Sequence, residues 1–301
     1  MQTPRKVAVI AHQRKTLDGG LDELRRRVSD HGVDQLLWYE VPKSRKAPKQ
    51  VRKAVEAGVD LLMVWGGDGI VQRSLDVLAS TKGGAKIPVA IIPAGTGNLL
   101  ATNLGVPHDL EQAVDIAFRG RRRRIDLGRL DGEHFGVMAG VGFDGAMIQD
   151  ADRNLKDRLG KLAYVWTGLR HVDGEPATAR ITVDGATWFD DEASCVLIGN
   201  VSKITGGIKA FDDAKPDDGW LDVGVATAQG AAQWARALGT MAVGRSDHSP
   251  FVRMTRARRI DVKLASKLEY ELDGGARTAV RKLSVEVAPG AVTVCVPQSD
   301  S

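Results

Sequence analysis

Two cysteines in 301 residues, Cys195 and Cys295, are too few for a disulfide framework or a thiolate zinc site. Both lie in apolar strand-like runs, where a thiol packs as a small hydrophobe. Long apolar runs are also missing. No uncharged stretch approaches the roughly 18 residues of a membrane span, so any contact with lipid is expected to be peripheral. The apolar run Val7 to Ala11 stops at His12-Gln13-Arg14-Lys15, too soon for a secretory signal, and the cytoplasm is the expected compartment. Charge of one sign is scarce: 42 Lys and Arg against 38 Asp and Glu leave only +4. That excludes wholesale coating of nucleic acid and suits a polyanionic nucleotide or a brief visit to an anionic membrane face. Fixed-period repeats and low-complexity tracts are absent. So are G-x-G-x-x-G after the first strand, G-x-x-x-x-G-K-[ST], G-x-S-x-G and H-E-x-x-H. The six histidines, at 12, 31, 108, 134, 171 and 248, are scattered singly and suggest no metal centre.

What is present reads as a folded, water-soluble chain, 43% hydrophobic and 27% charged. Val7 to Ala11, Val33 to Tyr39, Asp60 to Trp65 and Ile87 to Ile92 are short apolar strands. Helical spacing fills the gaps: Leu21, Leu24 and Val28; Ala47 to Ala57; Ile70 to Ala79; Leu110 to Phe118. Apolar strands alternating with helices predict an α/β domain with a parallel sheet covered on both faces. Past Arg121 to Arg124 the pattern turns β-rich. Strands are predicted at Ile125 to Leu130, His134 to Ala139, Ala179 to Val183, Ala193 to Ile198, Leu221 to Ala226, Ile260 to Leu264, Leu268 to Leu272, Leu283 to Val287 and Ala291 to Val296. Asp-Gly and Pro-Gly turns join most of them, and two helices interrupt, near Leu159 to Leu169 and Ala231 to Val243. The boundary is placed near Gly128: residues 1–128 as an α/β nucleotide-binding domain, 129–301 as a β-sandwich-like domain, the last strand free to return to the first.

Two glycine-rich segments follow strands. Gly66-Gly67-Asp68-Gly69 stands after Leu61 to Trp65 and opens a helix; Pro93-Ala94-Gly95-Thr96-Gly97-Asn98 stands after Ile87 to Ile92 and opens another at Leu99. Ligands of open α/β sheets bind at such strand ends, where glycine lets backbone N–H groups approach phosphate. A carboxylate at Asp68 repels phosphate unless a bridging Mg²⁺ takes oxygens from both. The plain reading is two tight turns, with Asp68, Thr96 or Asn98 capping a helix. The arginine run reads as a solvated basic face, or as a contact for anionic lipid.

Together with Arg124-Ile125-Asp126-Leu127-Gly128 and Gly140-Val141-Gly142-Phe143-Asp144, these segments resemble the diacylglycerol kinase and sphingosine kinase catalytic-domain family, in its bacterial lipid-kinase branch. The resemblance spans nearly the whole chain. It implies an α/β domain followed by a β-sandwich, with the nucleotide in the cleft between, and ATP- and Mg²⁺-dependent phosphorylation of a lipid hydroxyl in phospholipid metabolism. By the same likeness Gly66, Gly67, Asp68 and Gly69 hold nucleotide phosphates and metal, Gly95, Thr96, Gly97 and Asn98 contact nucleotide, and Asp126 lies near the site. Lys215-Pro216-Asp217-Asp218-Gly219-Trp220 resembles the family's Mg²⁺ loop, with the Asp218 side chain and the Lys215 and Trp220 carbonyls as ligands. The implied partner is a lipid at a membrane surface, with no nucleic acid and with a homodimer left open.

The chain departs from the family where the family carries Asp-Gly-Glu, whose Glu is the proposed general base: here the segment is Asp273-Gly274-Gly275. Asp273, Glu271 and Asp68 are the carboxylates available to replace it, and Asp273 and Glu271, two apart, are expected on one strand face. The first strand ends in Ala11-His12-Gln13-Arg14-Lys15 where the family tends to Asn-Pro, so Arg14 and Lys15 would supply charge instead of backbone donors. A lipid kinase is the leading reading, with Asp68 and Asp273 as candidate catalytic residues. The alternatives are a nucleotide- or lipid-binding relative that has lost its base, and an NAD kinase, for which the Asn-Glu pair is missing.

Overall fold

The computed structural model describes residues 4–142, 176–204, 209–242 and 249–298. The helix expected near Leu159 to Leu169, and Phe143 and Asp144 of the fourth motif, lie outside them. By contacts the chain forms two units, Met1–Leu127 with Pro289–Ser301, and Gly128–Ala288.

In the first unit strands and helices alternate: β1 (Lys6–His12), α1 (Gly20–Asp30), β2 (Gln35–Val41), α2 (Ala47–Glu56), β3 (Leu61–Gly66), α3 (Asp68–Ser80), β4 (Pro88–Pro93), α4 (Leu99–Asn103) and α5 (Leu110–Arg119). The sheet runs β2-β1-β3-β4, all parallel. The last strand of the chain, β14 (Gly275–Val296), returns to pair with β4 through Thr293 and Val294. Val7 to Ala11 of β1 and Leu61 to Trp65 of β3 are completely buried, as a sheet with helices on both faces requires. Each Val, Leu or Ile so enclosed contributes about 1.5–3 kcal/mol. On the helices, Leu24 and Val28, Val51 and Ala54, and Leu75 and Leu78 are the buried positions that the spacing picked out. Asp109 caps α5 by accepting the Gln112 N–H at 2.8 Å.

The arginine run is exposed at Arg121 and Arg124 and half-buried between them, and it is also tied to the chain. It begins β5 (Arg121–Leu130), and its side chains tie that strand to its neighbours. The Arg122 guanidinium donates to the Ala117 carbonyl at the end of α5 and to Cys295 Sγ, Arg121 donates to the Pro297 carbonyl, and Arg124 to the Gly290 carbonyl. A guanidinium close to a helix C-terminus satisfies carbonyls that have no partner within the helix. Cys195 and Cys295 are both free thiols and buried, as their apolar settings suggested.

The second unit comprises the end of β5, β6 (Glu133–Phe135), β7 (Met138–Val141), β8 (Ala177–Val183), β9 (Ala186–Ala193), β10 (Cys195–Gly199), β11 (Leu221–Ala226), α6 (Gly230–Ala242), β12 (Val252–Ala257), β13 (Arg259–Leu272) and most of β14. It is the β-rich sandwich domain expected, with strand order β12-β11-β10-β7-β13-β14 and the β8–β9 hairpin paired to β13. Its core gathers Phe135, Ile181, Phe189, Ile198, Val223, Val262 and Val285. Three two-residue hairpins are built on Asp131-Gly132, Asp184-Gly185 and Asp273-Gly274, each with both residues at positive φ, the geometry of a type I′ turn. Pro289-Gly290, expected as another turn, lies inside the single long strand β14; likewise Ile260 to Leu264 and Leu268 to Leu272 are one strand with irregular register between Lys263 and Leu268. The expected strand His134 to Ala139 is instead broken at Gly136 and Val137.

Candidate functional site

The chain leaves β1 to one side for β2 and returns to the other for β3, so the strand order reverses between β1 and β3. Crevices at such reversals, beyond the carboxyl ends of the strands, are where α/β sheets bind ligands. Gly66-Gly67-Asp68-Gly69 stands there. Gly66 ends β3 opposite Pro93 of β4, and the Ala94 N–H donates to the Gly66 carbonyl at 3.0 Å. The two glycine-rich turns are therefore neighbours, and their backbones touch: a Cβ on Gly95 would fall 2.3 Å from Gly67 Cα. Gly69 differs. It opens the first turn of α3, is exposed, and a Cβ there would meet nothing nearer than Ser44 Oγ at 3.7 Å. Packing thus demands glycine at 95 but not at 69. Gly95→Ala is expected to lower stability by about 1–3 kcal/mol through backbone displacement, while Gly69→Ala leaves it unchanged or raised by up to about 1 kcal/mol. Chemical denaturation of the two variants checks this.

Asp68 links the turns. It is the first residue of α3, but it does not cap that helix; its Oδ1 accepts the Leu99 N–H at 2.6 Å, at the start of α4. A Cβ on Gly97 would lie 2.8 Å from Oδ2. Burial pushes the Asp68 carboxyl above its usual range, and backbone N–H groups at Leu99, Leu100 and Asn98 pull it back. The five-residue α4 therefore presents its first donors to a carboxylate of the chain itself, and the thirteen-residue α3 is the helix whose start suits phosphate. One carboxylate fits Mg²⁺, which takes its other oxygens from phosphate and water. Asn98, buried and at positive φ, uses its side chain on its own loop: Oδ1 accepts the Gly95 N–H at 2.9 Å and Nδ2 donates to the Gly95 carbonyl at 2.8 Å. Thr96 and Gly97 are exposed at the tip. Asp126, buried in β5, accepts the Gly290 N–H at 2.6 Å.

The loop after β1 adds positive charge at the reversal. His12 Nδ1 accepts the Arg14 N–H at 3.2 Å, and burial together with the Lys15 and Arg14 charges lowers the pKa of the imidazole. Ser44, in the loop after β2, stands beside Gly69. A single serine in the basic stretch Lys43-Ser44-Arg45-Lys46 has no spacing by which sequence could single it out.

In the second unit the carboxylates at 271 and 273 part company. Asp273 is not on the strand; it occupies the hairpin turn at φ 46 and points away from the alternation of β13. Its Oδ2 accepts the Gly136 N–H at 2.8 Å, and its Oδ1 accepts those of Val137 at 2.8 Å and Met138 at 2.9 Å. These are the donors freed where the strand expected from His134 to Ala139 breaks. Asp273→Ala is expected to cost roughly 3 kcal/mol or more, since three buried N–H groups lose their acceptor at once; the urea midpoint measures it. Glu271 has the opposite surroundings. In the ladder it faces Gly140 of β7 and Ala276 of β14, neither of which offers a side-chain donor. Its Oε2 is buried without a hydrogen-bond partner. Burial, with the Asp273 charge nearby, pushes the Glu271 carboxyl up to about 7. At Gly275 a Cβ would meet Arg277 Nη1 at 2.8 Å; that guanidinium is paired with Glu133.

In the loop Lys215 to Trp220 the Asp218 side chain, expected as a cation ligand, is engaged within the chain. Asp218 Oδ1 accepts the Trp220 N–H at 3.1 Å, and Oδ2 is ion-paired with Arg256 of β12. Among the described residues no three His, Cys, Asp or Glu side chains gather as metal ligands. With one oxygen on the Trp220 N–H and the other on Arg256, the Asp218 carboxylate as it stands is not open to Mg²⁺.

Comparison with known proteins accords with this architecture. Residues 7–130 match the diacylglycerol kinase catalytic domain, and residues 137–296 match the YegS C-terminal NAD kinase beta sandwich-like domain. A protein from Pseudomonas aeruginosa named as a probable lipid kinase, YegS-like, is 35% identical over 254 residues, covering 83% of this chain and 81% of its own. A diacylglycerol kinase from Mycobacterium tuberculosis is 32% identical over 217 residues, covering 70% and 69%. The crystal structure of a diacylglycerol kinase from Bacillus anthracis shares the fold at a TM-score of 0.76 over 99% of both chains, with 21% identity. An NAD kinase from Archaeoglobus fulgidus, solved with ATP, shares it more distantly, at a TM-score of 0.53 and 10% identity over 97% of this chain and 94% of its own. Both domain matches and the curated relatives agree, and the chain belongs to the diacylglycerol kinase and YegS-like family of lipid kinases.

Proposed function

We propose that this chain transfers the γ-phosphate of ATP, with Mg²⁺, to the hydroxyl of a diacylglycerol-like lipid. The observation that carries the reading is the meeting of Gly67 with Gly95 at the ends of neighbouring parallel strands, beside a strand-order reversal where β1 ends at His12 and the chain continues into Arg14 and Lys15. Backbone donors at the start of α3 and the Arg14 and Lys15 charges hold the phosphates. Asp68 would hold Mg²⁺, which when bound neutralises developing charge on phosphate. The lipid oxygen attacks the γ-phosphorus, the new P–O bond forms as the bond from γ-phosphorus to the β–γ bridging oxygen breaks, and ADP leaves.

The hydroxyl proton needs an acceptor. Asp273 has its oxygens committed to three backbone donors. Glu271 keeps one oxygen without a partner and titrates near neutrality, the match that general-base work requires. The reading therefore assigns the proton to Glu271. Among the described residues no helix is long and apolar enough to cross a membrane; in this reading the lipid acceptor is met at a membrane face.

The experiment is phosphate transfer from radiolabelled ATP to diacylglycerols, sphingoid bases and glycolipids in mixed micelles. Labelled phospholipid is expected with the glycerol-based acceptors. Tight ATP binding without transfer to any acceptor would instead support a relative that binds but does not turn over, the reading that Gly275 favours.

A further inference from the structure

We propose that the loop Lys215–Trp220 carries its own cation, the Arg256 guanidinium, and that the wild-type chain binds no Mg²⁺ there. The expectation of a metal rested on the loop's resemblance to the family's Mg²⁺ loop. The structure adds β12, a strand with no apolar run to announce it, and register then decides what faces the loop: Asp222 pairs with Arg256, and Leu221 with Ala257. Arg256 consequently reaches both acids. Its Nη2 is bonded to Asp218 Oδ2, and its Nε lies 3.7 Å from Asp222 Oδ1. The other Asp218 oxygen accepts the Trp220 N–H, so the side chain offered as a ligand has both oxygens in use. A second guanidinium, that of Arg258, stacks 4.7 Å from the Trp220 ring centroid.

Chemistry separates the two occupants. Mg²⁺ needs near-octahedral oxygen at about 2.0–2.1 Å and gives up its water reluctantly. Guanidinium is planar, permanently charged and brings five N–H donors, which suits two carboxylates at one rim. Two guanidiniums beside the loop also repel an incoming dication. Such a closure is indifferent to chelators.

Thermal unfolding of the full chain without nucleotide tests this, first in EDTA and then in millimolar Mg²⁺; because no phosphotransfer is read, the outcome is independent of the kinase assignment. Wild-type Tm is expected to move by less than about 1 °C between the two. Arg256→Met is expected to lower Tm by about 2–4 °C in EDTA. Mg²⁺ should restore most of that loss, and adding Asp218→Asn should abolish the restoration. A wild-type Tm that rises with Mg²⁺ and stops doing so in Asp218→Asn would overturn the proposal. So would an Arg256→Met protein that Mg²⁺ leaves unchanged. Should Arg256→Met fail to fold, Mn²⁺ titration of the wild type decides: an unbroadened Trp220 indole resonance supports the internal cation, and selective broadening refutes it.

Discussion

Glu271→Gln is expected to slow phosphotransfer by about 10²–10⁴-fold while making the protein more stable at pH 8. The two effects have one cause. A carboxyl between Gly140 and Ala276, with one oxygen lacking any partner, is costly to ionise. The native carboxyl keeps its proton to about pH 7, against 4.5 ordinarily. Between those values the native state holds a proton that the unfolded chain has released, so stability falls as pH rises from about 4.5 through about 7. At 1.36 kcal/mol per pH unit over about 2.5 pH units, wild type loses about 3 kcal/mol across that window, and the Gln variant does not. Asp273 is the one charged group that adds to burial in raising this carboxyl. Urea unfolding of both proteins from pH 4 to pH 9, alongside the rate profile, reads both effects. An unaltered rate would place the base elsewhere, and parallel stability curves would mean that the Glu271 carboxyl is solvated.

Asp68→Ala is expected to lower transfer by about 10³-fold and stability by about 1–2 kcal/mol. The stability cost follows from the Leu99 N–H, which loses its acceptor at the start of α4. Since Asp68 both caps one helix and carries charge, the alanine variant alone does not divide its roles. Asp68→Asn does. An amide oxygen can still accept from Leu99, so stability should stay within about 0.5 kcal/mol of wild type, whereas the charge is gone and transfer should remain about 10²–10³-fold down. If Asn restores the rate, the carboxylate acts only as a cap. Together with the pair Gly95→Ala and Gly69→Ala, this separates what the fold needs at the turns from what a ligand needs.

Sequence revealed the first unit well because its signal is local. Strands such as Leu61 to Trp65 are buried on both faces and so are apolar without interruption, and the helices between them repeat their buried residues at one spacing. Charged strands escaped. β9 carries Asp190, Asp191 and Glu192 on exposed positions, β12 contains Arg253 and Arg256, and β5 begins with four arginines; none alternates cleanly, since exposed or half-buried residues follow one another along each. At the site, the glycine turns could be read from spacing, but their contact could not. Gly67 and Gly95 meet through strand register, and Asp68 reaches Leu99 across 31 residues of chain. The shared face expected for Glu271 and Asp273 failed for a local reason: a type I′ turn takes Asp273 out of the alternation that two-residue spacing presumes. Likewise, only the pairing of β12 with β11 shows that an arginine stands over Asp218.

Transfer of labelled phosphate from ATP to a diacylglycerol, compared in wild type and Asp68→Asn, bears most directly on the assignment of the paired turns as the nucleotide site. Label should appear on the lipid with wild type and fall about 10²–10³-fold in a variant that still binds its own α4. Equal labelling by the two proteins, or none by wild type together with no detectable ATP binding, would contradict it.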